Sequence, residues 1–564
     1  MKQKLQRHFD KSNFKINSLI IGCGLLSIPA FSLLIISLLF VCGLSINPFI
    51  FPVAVMLSMS LMFFYGKKNR ENVFVSIFFF LCIIAFSLTI SMFFYDYSWD
   101  GQCYHQDIIF QLKNGWNPIY EHHAVNSHHN MAIWNNHYAK GLETISAAIY
   151  STIGDIEAGK AVNFILVFAS AFLFFHYLKK DFQFLSRGKK AFFAILFALC
   201  PVVIYQILTY YIDWASYSLM LIIVPALICY GKEQSKIYLA TICTVVFLSA
   251  TIKFNLFFWI CFVLLIIFIY LCFMRKLILL KKLFFACVGS GLFAILVAGF
   301  NPYISNTINH RHPLYPLMGE GKIDIVTGQT PDIFKEKSRF KSVFISLLAQ
   351  PESEAYAFPV IHMSYFKGIR DPDIRIGGFG GFFSWALILS TLLYFVVIFH
   401  KKEIFDKKRI KYDAVLLVLF VSLFILPYAW WARYFPFFYA FPLIMCLYFE
   451  QENNNVSFLN YRYIIYLFLC LNTIAMFYGT YRKATQHKKE VDKVLVVLSK
   501  SKEPILINFG SYNVSFKIKL DENNIMYNET DEQLGTRLNL GFGRRDLILP
   551  NYVLENDFLI EKEK

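Results

Sequence analysis

Apolar residues in this chain come in long unbroken blocks. They show neither the two-residue alternation of half-buried strands nor the three-to-four spacing of amphipathic helices. A 19-residue window finds thirteen such blocks, at 17–43, 48–66, 73–95, 161–178, 190–209, 213–230, 236–252, 255–274, 283–300, 381–399, 413–431, 434–449 and 462–479. A helix of about 20 residues crosses a hydrocarbon layer of roughly 30 Å, so each block reads as a membrane span. Barrel strands are excluded, because they alternate in polarity and these blocks are apolar on every face. The expected fold is an all-α polytopic membrane protein with about 13 transmembrane helices, large external loops and a small C-terminal α/β soluble domain. Residues 1–480 form the membrane domain, with external loops at 96–160 and 301–380, and residues 481–564 form the external soluble domain.

The polar intervals set the orientation. Basic clusters recur on alternate sides: Lys67-Lys68-Asn69-Arg70, Lys179-Lys180, Arg187 with Lys189-Lys190, Arg275-Lys276, Lys281-Lys282, and Lys401 through Lys411. With thirteen spans, these and the basic N-terminus share one face, which the positive-inside rule makes cytoplasmic. The loop at 450–461 departs from the rule, being acidic and Asn-rich with Arg462 only at its edge. The first block lacks a small-residue cleavage site and reads as a retained span. In the tail, Lys493 to Leu498, Pro504 to Asn508 and Val514 to Leu520 read as strands between turn residues. Self-similarity that would mark a transporter of repeated halves is absent from the sequence.

Composition sharpens this reading. Hydrophobic residues make up 57% of the 564, charged residues only 16%, and Phe alone occurs 62 times. A soluble surface needs roughly 25% charged residues, and the mean hydropathy here is +0.49. The formal charge of +16 sits in the short clusters between spans, so no nucleic-acid partner is expected. Of the twelve cysteines only Cys103 falls in a clear polar loop, and no CxxC pair occurs, so neither a disulfide framework nor a zinc site is expected.

Ionisable groups in the middle of spans would mark a transport path, and they are nearly absent. The polar groups gather instead at the external ends of spans. Where the third span emerges, the chain reads Trp99-Asp100-Gly101-Gln102-Cys103-Tyr104-His105-Gln106-Asp107. Asp100 there either caps the helix that follows or acts as a general base on an acceptor hydroxyl. The loop continues through Gly115-Trp116-Asn117-Pro118 and Asn136-His137-Tyr138-Ala139-Lys140-Gly141, and six of the thirteen histidines lie between His105 and His137. The pairs His122-His123 and His128-His129 lack the i,i+4 spacing of helical metal ligands, so they read as hydrogen-bonding or substrate-contacting groups, and no metal is assigned. Asp213 follows Tyr210-Tyr211-Ile212, Lys253 closes the seventh span, and Arg433 opens the twelfth in Trp430-Trp431-Ala432-Arg433-Tyr434-Phe435-Pro436. Both cations oppose the positive-inside bias, and either snorkelling or a grip on a phosphate explains them. The second loop ends in Asp371-Pro372-Asp373-Ile374-Arg375 and Gly377-Gly378-Phe379-Gly380-Gly381, without the strand–loop–helix setting of a P-loop. No nucleotide cofactor is signalled.

Together these features resemble the GT-C superfamily of integral membrane glycosyltransferases, including the aminoarabinose transferases and protein O-mannosyltransferases. Asp100-Gly101-Gln102-Cys103-Tyr104 is similar to the family's Asp-Glu-x-x-Tyr opening, with Gly101 in place of the second acid. Gly115 to Pro118 resembles its Gly-x-x-Pro turn, His137 to Gly141 its Tyr-Pro-Pro-Gly type segment without the prolines, and Arg433 to Pro436 an Arg-Tyr-x-x-Pro pattern. The resemblance covers roughly residues 73–440, and two spans rather than one precede the span that leads into the acidic loop. It implies an inverting transferase in a bacterial plasma membrane. The partners would be a polyprenyl-phosphate-linked sugar donor, a glycan or lipid acceptor, and membrane lipids. Asp100 would be the base, with Asp213 assisting. Tyr104, His105, His137, Lys140, Lys253, Arg433 and Tyr434 would contact substrate. Two alternatives stand beside it: an O-antigen or capsule polymerase of preassembled repeat units, which shares the topology, and, from a different class, a lipid-linked oligosaccharide flippase or other transporter.

Overall fold

A computed structural model describes residues 17–68, 73–122, 131–352, 372–401, 409–426, 428–452, 457–509, 513–530, 537–539 and 544–548. The protein is an all-α membrane protein with a small sheet near its C-terminus. Among the described residues nine helices are long and apolar enough to cross a membrane. They are α1 (Ser18–Val41), α2 (Ile50–Lys68), α3 (Val73–Phe93), α7 (Ala161–Asp181, entered by a 3₁₀ turn from Ile156), α10 (Asp213–Glu233), α12 (Phe254–Phe273), α13 (Leu277–Phe293, prolonged to Ala298), α16 (Phe383–Lys401) and α19 (Arg462–Leu498). The intervening α11 (Lys236–Ile252) is apolar and slightly shorter.

The other three apolar blocks are not single long helices. Block 190–209 divides into α8 (Arg187–Ala198) and α9 (Pro201–Gln206), because Pro201 has no N–H for a continuing helix and suits a first helical position. Blocks 413–431 and 434–449 hold α17 (Arg409–Ser422) and α18 (Ala440–Gln451), separated by turns from Leu423 and a 3₁₀ turn at Pro436–Tyr439. Arg433 therefore lies in irregular backbone rather than at the start of a span. Protein surrounds this irregular backbone, and Trp430, Trp431, Phe435 and Phe437 are all buried.

Ion pairs tie the basic ends of the helices together. Lys232 contacts Asp181 at 2.6 Å, and Lys180 contacts Glu233. At the same end Glu450 receives Lys189 at 2.6 Å, Arg462 at 3.0 Å and the Tyr466 hydroxyl at 3.0 Å. Glu450, one of the two acids of the anomalous 450–461 loop, is thus neutralised locally.

From Arg462 the 37 residues of α19 extend about 55 Å, well past a hydrocarbon layer of about 30 Å. The helix runs unbroken across the expected domain boundary at 480/481. Its far end packs Val491, Val494, Leu495 and Leu498 against β1 (Ile505–Asn508) and a helix at Asn513–Glu522, here α20. Strands β2 (Tyr527–Glu529), β3 (Arg537–Asn539) and β4 (Arg544–Ile548) complete a sheet of order β2-β1-β4-β3, parallel only between β1 and β2. Two expected strands are helical. Lys493 to Leu498 buries residues at helical spacing as the end of α19, and Val514 to Leu520 lies within α20.

Candidate functional site

The segment that carries Asp100 is wound by local hydrogen bonds. Past α3, the buried Asp96 carboxylate accepts from the Ser98 N–H at 2.9 Å and the Ser98 hydroxyl at 2.7 Å, as Asp does in turns. Ser98 Oγ in turn accepts from the Gly101 N–H at 3.1 Å, and the Gln102 side chain donates to the Asp96 carbonyl at 3.1 Å. A π-helical turn, Gly101–His105, starts from this knot and leads into α4 (Gln106–Lys113). Gly101 is required there, because a Cβ would overlap the Asp96 carboxylate. Asp100 heads the turn with no capping hydrogen bond, so capping does not account for it.

Four distant stretches meet around Arg433. Its guanidinium lies 2.9 Å from Asp373, 3.6 Å from Asp100 and 3.7 Å from Asp213. Tyr211, Trp431 and Tyr434 present their rings to the same guanidinium at 5.0, 4.6 and 5.5 Å. Asp213, the first residue of α10 and 2% exposed, is contacted by Lys253 and accepts from Gln206 Nε2 at 3.2 Å. Lys253 occupies an extended break between α11 and α12, its ammonium 5.2 Å from the Tyr434 ring centre. Asp373 also receives Arg375 at 3.2 Å. Three carboxylates thus face three cations, the arrangement that lets charge persist away from water.

Tyr104 and Tyr138 border the cluster. Burial and then the Asp100 charge push the Tyr104 hydroxyl well above the usual phenol range, and burial raises Tyr138 in the same way. Both stay neutral and remain hydrogen-bond donors. Carboxylate, guanidinium, ammonium and phenol groups are therefore gathered at one end of the bundle. The set can accept a proton at Asp100 and oppose negative charge at Lys253 and Arg433.

The remaining nominated residues sit apart from that charge cluster. His105 is 2% exposed and its Nδ1 meets Glu143 at 2.6 Å, in α6 (Gly141–Ile153). His137, at the end of α5 (Ala132–His137), bonds Asn306 through Nδ1 at 2.7 Å and packs edge-on to His310. Burial lowers it to about 4, so it is neutral near pH 7. Lys140 donates to the carbonyls of Tyr138 at 2.7 Å and Asn136 at 3.3 Å, and to Asn301 Oδ1 at 2.6 Å. Burial pulls its ammonium down to about 7, and its three donors are spent on pinning the loop to Asn301. Among the described residues no three His, Cys, Asp or Glu side chains are placed to hold a metal ion. His123, His128 and His129 lie outside the described residues.

Asp373, Arg375, Tyr138, Tyr211 and Trp431 join the site without having been nominated. Tyr138, Tyr211 and Trp431 are sequence neighbours of nominated residues, and that proximity was their only signal. Asp373 and Arg375 carry the signal of acid and base set against a glycine-rich turn, where Gly378 lies against Ala432 with no room for a Cβ. Comparison of the chain with protein-family models, with curated proteins and with solved structures finds no match.

Proposed function

We propose that the protein is a GT-C-like glycosyltransferase of a bacterial plasma membrane, working at the external face on a polyprenyl-phosphate-linked sugar. The observation that carries this reading is the convergence of Asp100, Asp213, Lys253 and Arg433, from four separate stretches, at the end of the bundle opposite the basic helix ends. The positive-inside rule makes that end external. There Asp100, 16% exposed, takes the proton of an acceptor hydroxyl while the oxygen attacks the anomeric carbon. The bond from carbon to the phosphate oxygen breaks with inversion, and the lipid phosphate leaves with the electron pair. Lys253, 20% exposed, and Arg433 face the charge that develops on it. Each already faces carboxylates, so the phosphate shares these cations instead of meeting them bare.

Deletion of the gene and complementation with wild type or Asp100→Asn tests the reading, with surface glycans and polyprenyl-linked intermediates followed by mass spectrometry. One missing sugar, with its monosaccharyl lipid accumulating, is expected in the deletion and in Asp100→Asn. Accumulation of whole repeat units would instead identify a polymerase. Unchanged covalent products with lipid-linked material trapped inside would identify a flippase.

A further inference from the structure

The C-terminal helix α20 is wedged between two apolar clusters. Its residues Phe516 and Leu520, one helical turn apart, join the core formed by the end of α19 and β1. Val514 and Ile518, also one turn apart and on the opposite side, pack with Ile108, Ile109 and Leu112 of α4. The helix also packs against the π-helical turn that starts beside Asp100. Its polar groups reach the same place. Lys519, 4% exposed, points to Glu157 at 3.7 Å and is held by Ser515 Oγ at 3.0 Å. Glu157 is the hub: it receives Lys160 at 2.7 Å and accepts the backbone N–H of Asp96 at 3.0 Å. Asp96 is the residue whose carboxylate winds the Asp100 knot. At the end of α20, Glu522 accepts the Ile156 N–H at 2.8 Å, at the entrance to α7.

We infer that Lys519 and Glu522 are positioning residues, and that α20 is a clamp holding residues 96–113 so that Asp100 stays beside Arg433. The inference rests on the transferase reading for its consequence, but not for its geometry. The chain Lys519–Glu157–Asp96–Ser98–Gly101 is continuous, each link a contact between named groups. The chain reaches the Arg433 cluster through the peptide bond from Gly101 to Asp100, so the effect of Lys519 on chemistry is indirect.

Hydrogen exchange of the purified full-length protein in detergent tests the clamp without any substrate. Lys519→Met keeps the length and packing of the side chain and removes its charge. It is expected to speed exchange in peptides spanning 96–113 by tenfold or more, with α10 peptides unchanged as the folding control. Lys519→Arg is expected to retain wild-type protection, and Glu522→Ala to loosen 96–113 as Lys519→Met does. In the deletion strain, Lys519→Met is expected to lose the glycan product and Lys519→Arg to restore it. Unchanged exchange at 96–113 in both Lys519→Met and Glu522→Ala would overturn the clamp. Loosened exchange with full glycan complementation would overturn its positioning role. Asp100→Asn separates the two readings: it is expected to abolish transfer with 96–113 still protected. A wild-type protein without transferase activity would sink the transferase reading while leaving the exchange result to decide the clamp.

Discussion

The guanidinium of Arg433 lies 2.9 Å from the carboxylate of Asp373, joining the turn-rich stretch before α18 to the glycine-rich end of the second large loop. Through the same guanidinium, Asp100 and Asp213 are drawn in from the first loop and the head of α10. One largely buried cation, its side chain 11% exposed, therefore holds four parts of the chain, and its removal leaves three acids facing two remaining cations. Arg433→Met is expected to destabilise the protein by about 3–5 kcal/mol, the usual cost of breaking a buried ion pair from one side. Asp373→Asn in the same chain is expected to return part of that loss, which thermal unfolding in detergent measures. A double variant as unstable as the sum of the two single changes would show that the pair is not coupled.

Asp100 accepts no capping bond and is not needed to start its helix. Asp100→Asn should therefore insert and unfold like wild type while losing transfer by roughly 100-fold or more, the range for removal of a general base. Equal glycan product from the variant would refute the base assignment.

Gly101 stands where the resembling family carries a second acid, and the structure has no space for one. Gly101→Ala pushes a methyl group into the Asp96 carboxylate and should cost about 1–3 kcal/mol, as overpacking does. Gly101→Glu should be worse, not a restoration of activity. Gly188→Ala in α8, where a Cβ meets open space, is the matched control and should be neutral or slightly stabilising. Melting curves of the three variants decide this.

Glu522 gives a pH signature. Burial, with Asp155 and Glu157 nearby, raises its carboxyl to about 7 in the folded protein, from about 4.3 for a free Glu. Between those values the folded state holds the proton that the unfolded chain has released. Stability from this group is complete below the unfolded value and is lost as pH rises through about 7. Glu522→Gln mimics the protonated form, so its melting temperature should gain on wild type as pH rises from 5 to 8. A constant difference across that range would exclude Glu522 as the titrating group.

Long apolar blocks were legible because a membrane span needs only continuous apolarity, whatever it packs against. All thirteen blocks contain helix, yet among the described residues nine are long enough to span: a proline at 201 and the turns around Trp430 and Trp431 interrupt three of the rest, and α11 is simply shorter. Asp100, Asp213, Lys253, Arg433, Tyr104 and Tyr434 were legible as charged or aromatic groups at span ends, where an uncompensated charge draws notice. Their convergence was not, and neither was the partnership of Asp373 with Arg433, because contacts between distant segments leave no local pattern.

Alternation in Val514, Phe516, Ile518 and Leu520 shows the same division. Read alone, a period of two means a strand with one buried face. In the fold it is a helix buried on two opposite faces, because residues four apart share a face and two apart do not. The sequence by itself determined that the chain lives in a membrane, which way its basic ends gather, and which polar residues stand at span ends, since each follows from local solvation. Which of those residues meet, and that α20 is a helix set against the Asp100 segment, was decided by tertiary packing. Burial against a second cluster supplies a free energy that no single stretch of sequence contains.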